Sequence, residues 1–207
     1  MATASRILRN PVAPLVVIAA LVIAVATWAS TRTNAPADTR EPLRVRATSV
    51  YDFSSLDEMG AASDLVVEAD VVAVERGRLV GEPDEGGVIS RIVTLAVADV
   101  IRGGATTAST LIVEEEGWLP DGTPIIVDDV EPSVVGDHGV WFLDELEAPD
   151  DADVPVYLVI NSQGRMLERD GGVVGGDQTD PLVRTVQQQA YDELIRALKA
   201  TTSSTPP

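Results

Sequence analysis

Asp64 to Glu75 reads D-L-V-V-E-A-D-V-V-A-V-E. Leu65, Val67, Ala69, Val71 and Ala73 take alternate positions, and Glu68 and Asp70 fall between them. Period two with β-branched side chains is the pattern of a strand buried on one face. Downstream, Arg76 to Gly87 reads as a loop rich in Gly, Pro and acid. Val88 to Ile101 is a second long strand, stopped by Arg102-Gly103-Gly104. Ser109 to Glu116 is a third, followed by a turn region from Gly117 to Pro124 and a brief strand at Ile125 to Val127. Asp137 to Leu143 is a further strand with G-V-W-F-L at its centre, and Pro149 to Asp153 is a loop. Val156 to Ile160 and Arg165 to Glu168 flank Asn161-Ser162-Gln163-Gly164, which reads as a four-residue hairpin loop. Asp170-Gly171-Gly172 is another turn.

Two helices bracket these strands. Ser55-Leu56-Asp57-Glu58 has capping-box spacing, so a short helix begins there and stops near Gly60. At the other end, Asp180 and Pro181 suit the cap and first position of a helix running to Lys199. Val183, Val186, Ala190, Leu194 and Leu198 form its apolar stripe. Five to seven strands with short turns and a closing helix indicate a mainly β fold: a small antiparallel β-barrel, OB-like, or a sandwich.

Pro11 to Ala29 carries no charge over 19 residues, P-V-A-P-L-V-V-I-A-A-L-V-I-A-V-A-T-W-A. As a helix it would span about 28 Å, near the hydrocarbon thickness of a bilayer. Arg6 and Arg9 precede it, and the positive-inside rule places that end in the cytoplasm. The expected layout is a cytoplasmic N-terminus (1–10), one transmembrane helix (11–30), a linker (31–50), an extracytoplasmic domain (51–200) and a disordered tail (201–207). A cleaved signal peptide is the alternative for 11–30, with small residues at Thr27-Trp28-Ala29 and Ala35-Pro36-Ala37, and it would leave a secreted domain. Either reading puts the domain outside the cytoplasm.

The chain has no cysteine, which removes disulfides, Cys-ligated metals and thiol nucleophiles. Lys199 is the one lysine beside 14 arginines, and with abundant Ala, Val, Asp and Gly this suggests a high-GC bacterial genome. Net charge is −18, unevenly spread. Residues 1–46 hold six arginines against Asp38 and Glu41, and the remainder holds nine basic and 31 acidic residues, a net −22. Such a surface repels nucleic acid and favours cations or basic partners. It also keeps an exported domain soluble.

Four segments carry a resemblance: Ser63-Asp64-Leu65-Val66-Val67, Val97 to Gly103, Gly136-Asp137-His138-Gly139-Val140-Trp141-Phe142-Leu143, and Tyr157 to Arg165. The domain resembles a diffuse family of exported or membrane-anchored bacterial β domains, similar to netrin-like and inhibitor-type OB barrels. The resemblance implies a barrel that binds proteins at the cell envelope, and it transfers no site.

Candidate site residues are few. His138, the one histidine, adjoins Asp137, but no G-x-S-x-G elbow supplies a nucleophile, and a solvated or structural role is the plainer reading. Glu114, Glu115 and Glu116 end a strand. Alternation sends Glu114 and Glu116 to one side, as an acid/base pair or a solvated strand end. Asp144, Glu145, Glu147, Asp150, Asp151 and Asp153 crowd one stretch as candidate calcium ligands, without EF-hand order. Asp128, Asp129 and Glu131 are a smaller group of the same kind. Trp118, in G-W-L-P-D-G, is a candidate partner contact if exposed and a core cap if not. Three functions compete: a non-catalytic binding module of the envelope, a calcium-dependent structural or adhesive module, and a carboxylate-based hydrolase.

Overall fold

The computed structural model of the chain describes residues 40–47, 52–82, 86–105, 107, 109–146 and 154–202. The expected cytoplasmic N-terminus, the membrane or signal segment 11–30 and most of the linker lie outside the described residues. Among the described residues, no helix is long and apolar enough to cross a membrane.

The elements in order are β1 (Leu43–Val45), α1 (Leu56–Ala62), β2 (Leu65–Val80), β3 (Val88–Arg102), β4 (Thr110–Trp118), β5 (Ile125–Val127), β6 (His138–Glu145), β7 (Val156–Val159), β8 (Arg165–Arg169), β9 (Gly172–Gly175), α2 (Pro181–Val186) and α3 (Tyr191–Thr202). Five strands close a barrel in the order β2-β3-β4-β7-β6, with β6 returning to β2. The expected barrel, not the sandwich, is what forms. It is not wholly antiparallel: β4 and β7 run parallel. β8 pairs with β6 on the edge that β7 also uses, β9 pairs with β8, and β1 pairs with β5 as a separate two-stranded sheet.

The alternation read in Asp64–Glu75 sorts two cores. Leu65, Val67, Ala69 and Val71 pack with Val93, Leu95, Val113, Trp141 and Leu143 in the barrel interior. Val66, on the other face, joins Met59, Phe142, Met166, Val186, Tyr191, Leu194 and Leu198 under the helices. Burial of this apolar surface is the main favourable term in folding. Ser55 caps α1, its side chain accepting from the Glu58 N–H, and Asp180 caps α2 by accepting from the Val183 N–H, with Pro181 at the first turn.

Six expectations of the sequence are corrected. α1 runs through Gly60 to Ala62. β2 continues through the expected loop, because β3 supplies a ladder through Arg76↔Arg91, Leu79↔Ile89 and Val80↔Val88. Residues 43–45, assigned to the linker, form β1 against β5. The C-terminal helix is two helices. The Tyr191 N–H donates to Gly171 O, and Ala190 bridges to Gly172, so the β8–β9 turn captures the backbone between them. α3 then extends to Thr202, which makes the start of the expected tail helical.

The sixth concerns Asn161 to Gly164. β7 lies antiparallel to Leu143–Glu145 and β8 antiparallel to Gly139–Trp141, so both run in one direction along β6. The four residues are an excursion between collinear strands, not a reversal. Phe142 marks the junction, donating to Gly164 O and accepting from the Ile160 N–H. The buried Gln163 side chain holds the loop down, exchanging hydrogen bonds with the Phe53 backbone and donating to Asp180 at 3.0 Å.

Candidate functional site

The β4–β7 seam is short. Only Ile112↔Val156 and Val113↔Tyr157 are in register. Residues 114–116 of β4 therefore extend past the ladder, with no strand partner on that side among the described residues. β5 and the turn after it cover the gap incompletely. A groove of about 250 Å³ remains. Ile125, Val127, Val130, Leu158 and Val159 give it an apolar floor, and Glu114, Glu115, Glu116, Asp128 and Glu131 line it with carboxylates, beside Arg165.

These carboxylates differ in their engagement. Glu114 is buried and accepts two hydrogen bonds from Arg78, Nε at 3.0 Å and Nη2 at 2.9 Å. That bidentate pair holds its carboxyl below the usual glutamate range. Glu115 accepts from Ser133 Oγ at 2.5 Å and from Arg165 Nη1 at 3.1 Å. Arg165 also donates to Glu131 O and lies 5.7 Å from the Trp141 ring centre. Glu116 is exposed and has no hydrogen-bond or ion-pair partner among the described residues. Of the three, it alone is uncommitted.

At the groove's lip, Val127 to Val130 is a tight turn closed by Val130 N–H to Val127 O at 2.9 Å. Asp128 and Asp129 both take positive φ, 51° and 58°. Two such residues normally call for Asn-Gly or Asp-Gly. Here the turn carries two carboxylates at some conformational cost. Asp128 accepts from the Ala47 N–H at 2.9 Å, and Asp129 and Glu131 meet Arg44 and Arg46 of the N-terminal segment.

The other candidates lie elsewhere. His138 sits on the outer face of β6, 2.9 Å from Asp70 and 3.2 Å from Glu68, with the Tyr191 ring edge-on at 5.5 Å. Burial and the neighbouring Glu68 push the Tyr191 hydroxyl well above its ordinary value. This cluster ties α3 to the barrel. Trp118 belongs to the end of β4, not to the following turn, and is 5% exposed. The guanidinium groups of Arg91 and Arg76 lie 4.4 and 4.9 Å from its ring centre. The indole is therefore buried beneath two guanidinium groups and offers little open face to a partner.

Asp144 is pushed up by burial and by Asp64, whose carboxylate accepts from the Glu145 N–H. Among the described residues, no three His, Cys, Asp or Glu are grouped to hold a metal. Glu147, Asp150, Asp151 and Asp153 lie outside the described residues.

The residues that organise the groove and were not singled out are Arg78, Ser133 and Arg165. Arg165 had a signal: it shares strand parity with Leu167, on a segment that buries Arg165, Met166 and Leu167 alike. No protein-family model matches the chain, and no curated protein matches its sequence. The likeness to exported β domains rests on its motifs alone.

Proposed function

We propose that the domain is a non-catalytic binding module of the cell envelope, and that its ligand is an extended, cationic segment of another protein seated in the β4–β7 groove. The observation that carries this is the truncated ladder. It leaves the edge of β4 at residues 114–116 open above an apolar floor, with Glu116 uncommitted at the rim. An open strand edge offers main-chain hydrogen bonds to an extended peptide, and alternating side chains then find pockets. Apolar stems of Arg or Lys suit the floor while their charged ends suit the carboxylates.

The non-catalytic reading is supported by the chemistry of the triplet. Glu114 and Glu115 are each engaged by an arginine, Arg78 and Arg165, so neither carboxylate is left free to meet a substrate. An OB-like fold is supported by the ring order: in chain order the barrel strands run first-second-third-fifth-fourth, with third and fifth parallel. Residues 11–30, as a membrane anchor, would hold this module outside the cytoplasm near other envelope proteins.

The test is a photo-crosslinking side chain at Leu158, on the groove floor, compared with one at Val174, exposed on β9. Expressed in its own cells, the protein crosslinks one defined partner from Leu158 and not from Val174. Equal or absent adducts at the two sites overturn the proposal.

A further inference from the structure

We propose that residues 40–47 are a displaceable strap. They lie on a docking strip for an extended, arginine-bearing segment of a partner protein, and the chain's own Arg44-Val45-Arg46 is the resident occupant. This rests on the groove reading, because Ala47 forms part of the groove wall.

The fit of the strap is visible residue by residue. β1 lies parallel to β5 through Leu43↔Ile125, Arg44↔Ile126 and Val45↔Val127. Leu43 N–H donates to Pro124 O at 2.8 Å, and Asp128 N–H donates to Val45 O at 3.0 Å. Arg44 reaches Asp129 at 3.2 Å and Glu131 at 3.3 Å, and Arg46 reaches Asp129 at 3.4 Å. Residues two apart on an extended chain share a face. The strip thus reads an R-x-R pattern with the carboxylates of Asp129 and Glu131.

The strap is weakly held. All three β1 residues are exposed, Leu43 to 43% and Val45 to 37%, so hydrophobic burial contributes little. The ion pairs of Arg40 with Asp121, of Arg44 with Asp129 and Glu131, and of Arg46 with Asp129 are solvent-exposed on both sides, and such pairs contribute little net stability. A lone two-stranded pairing of this length is marginal in water. The strip beneath is firm by contrast: Ile125, Ile126 and Asp128 are buried, and Pro124 bridges to Trp118.

Lifting the strap changes the surface in three ways at once. It uncovers the main-chain edge of β5. It frees Asp128, Asp129 and Glu131 from Ala47, Arg44 and Arg46. It removes Ala47 from the groove wall, so strip and groove become continuous. An edge strand bordered by carboxylates is a template for a basic strand, and the acidity of the domain favours the encounter. The strained Asp128–Asp129 turn fits this role, since it keeps both carboxylates where a glycine would relax the backbone.

The experiment uses the full chain in detergent, as wild type and as Arg44→Glu/Arg46→Glu. Both substitutions fall on exposed side chains, and an unchanged melting temperature verifies that the fold persists. The probe is a fluorescent peptide with the sequence of residues 40–47, R-E-P-L-R-V-R-A, and the control peptide carries glutamate in place of each arginine. A tethered strap competes at high effective concentration, so the peptide binds the charge-reversed protein at least about tenfold more tightly than wild type. Added Asp129→Lys/Glu131→Lys abolishes that binding. The Asp128 amide exchanges faster in the Arg44→Glu/Arg46→Glu protein and is protected again by the peptide. Equal affinity for both proteins, or equal binding of the control peptide, overturns the proposal. A crosslink from Leu158 that persists while the peptide fails to bind overturns the strap and leaves the groove standing. A wild-type dimer that dissociates on Arg44→Glu/Arg46→Glu substitution makes a second copy of the chain the occupant, and also overturns it.

Discussion

Glu115 and Arg165 meet 3.1 Å apart at one end of the barrel, though 50 residues separate them in the chain. Both side chains are nine-tenths buried, and Ser133 Oγ lies 2.5 Å from each. The pair joins β4, β8 and the segment before β6 where β4 and β7 part. Both residues line the groove. A buried charge pair of this kind is costly to break one side at a time, because the remaining charge has no counter-ion.

Arg165→Met alone should destabilise the protein by about 3–5 kcal/mol. The double variant Glu115→Leu/Arg165→Met should recover most of that loss, since two apolar side chains leave no stranded charge. Urea unfolding midpoints of the two single variants and the double variant measure the coupling. Additive losses would mean that the two groups do not act as a pair.

Glu114 gives a pH signature. Arg78 holds its carboxyl below the ordinary glutamate value of 4.5. The folded value is depressed, so the stabilisation is fully present above pH 4.5 and is lost as pH falls through the lowered value. Arg78 is 61% exposed, so solvent screens the pair. Glu114→Gln should lower stability at pH 7 by about 1 kcal/mol and flatten the acid limb of the stability profile. A variant with an unchanged acid limb would contradict the assignment.

Trp118 separates a structural from a recognition role. With the indole buried beneath Arg76 and Arg91, Trp118→Ala should destabilise by about 3–5 kcal/mol through the cavity it leaves. A variant of wild-type stability that has lost its partner would restore Trp118 as a surface contact.

The parts of the fold legible in sequence are those with local causes. The alternation from Leu65 to Ala73, the Ser55 cap and the Asp180-Pro181 helix start are each written within a few residues. What was missed is written at a distance. Arg76 to Val80 extend a strand only because β3 is there to pair with them, and Arg44 to Arg46 look like linker until β5 is beside them. The same holds for the groove. Alternation told which side of β4 each glutamate takes, but not that Arg78, Ser133 and Arg165 would arrive from 36, 18 and 50 residues away.

Asp144 bears on calcium. Burial and Asp64 raise its carboxyl, so its ionised form opposes folding as pH rises through the folded value. Asp144→Asn should leave stability at pH 7 unchanged or raise it by up to about 1 kcal/mol. Millimolar calcium should not move the wild-type melting temperature, since a ligand specific to the native state must raise it. A calcium-dependent rise that Asp144→Asn abolishes would establish the calcium module instead.

The measurement that bears most directly on the account is the yield of the Leu158 crosslink in wild type and in Glu116→Arg/Glu131→Arg. Both substitutions lie at the groove's carboxylate lining, and both side chains are exposed. If the groove takes a cationic segment, the yield falls at least about tenfold, the equivalent of 1.4 kcal/mol in binding. A yield that stays level or rises would show that the ligand is not cationic or does not lie in the groove.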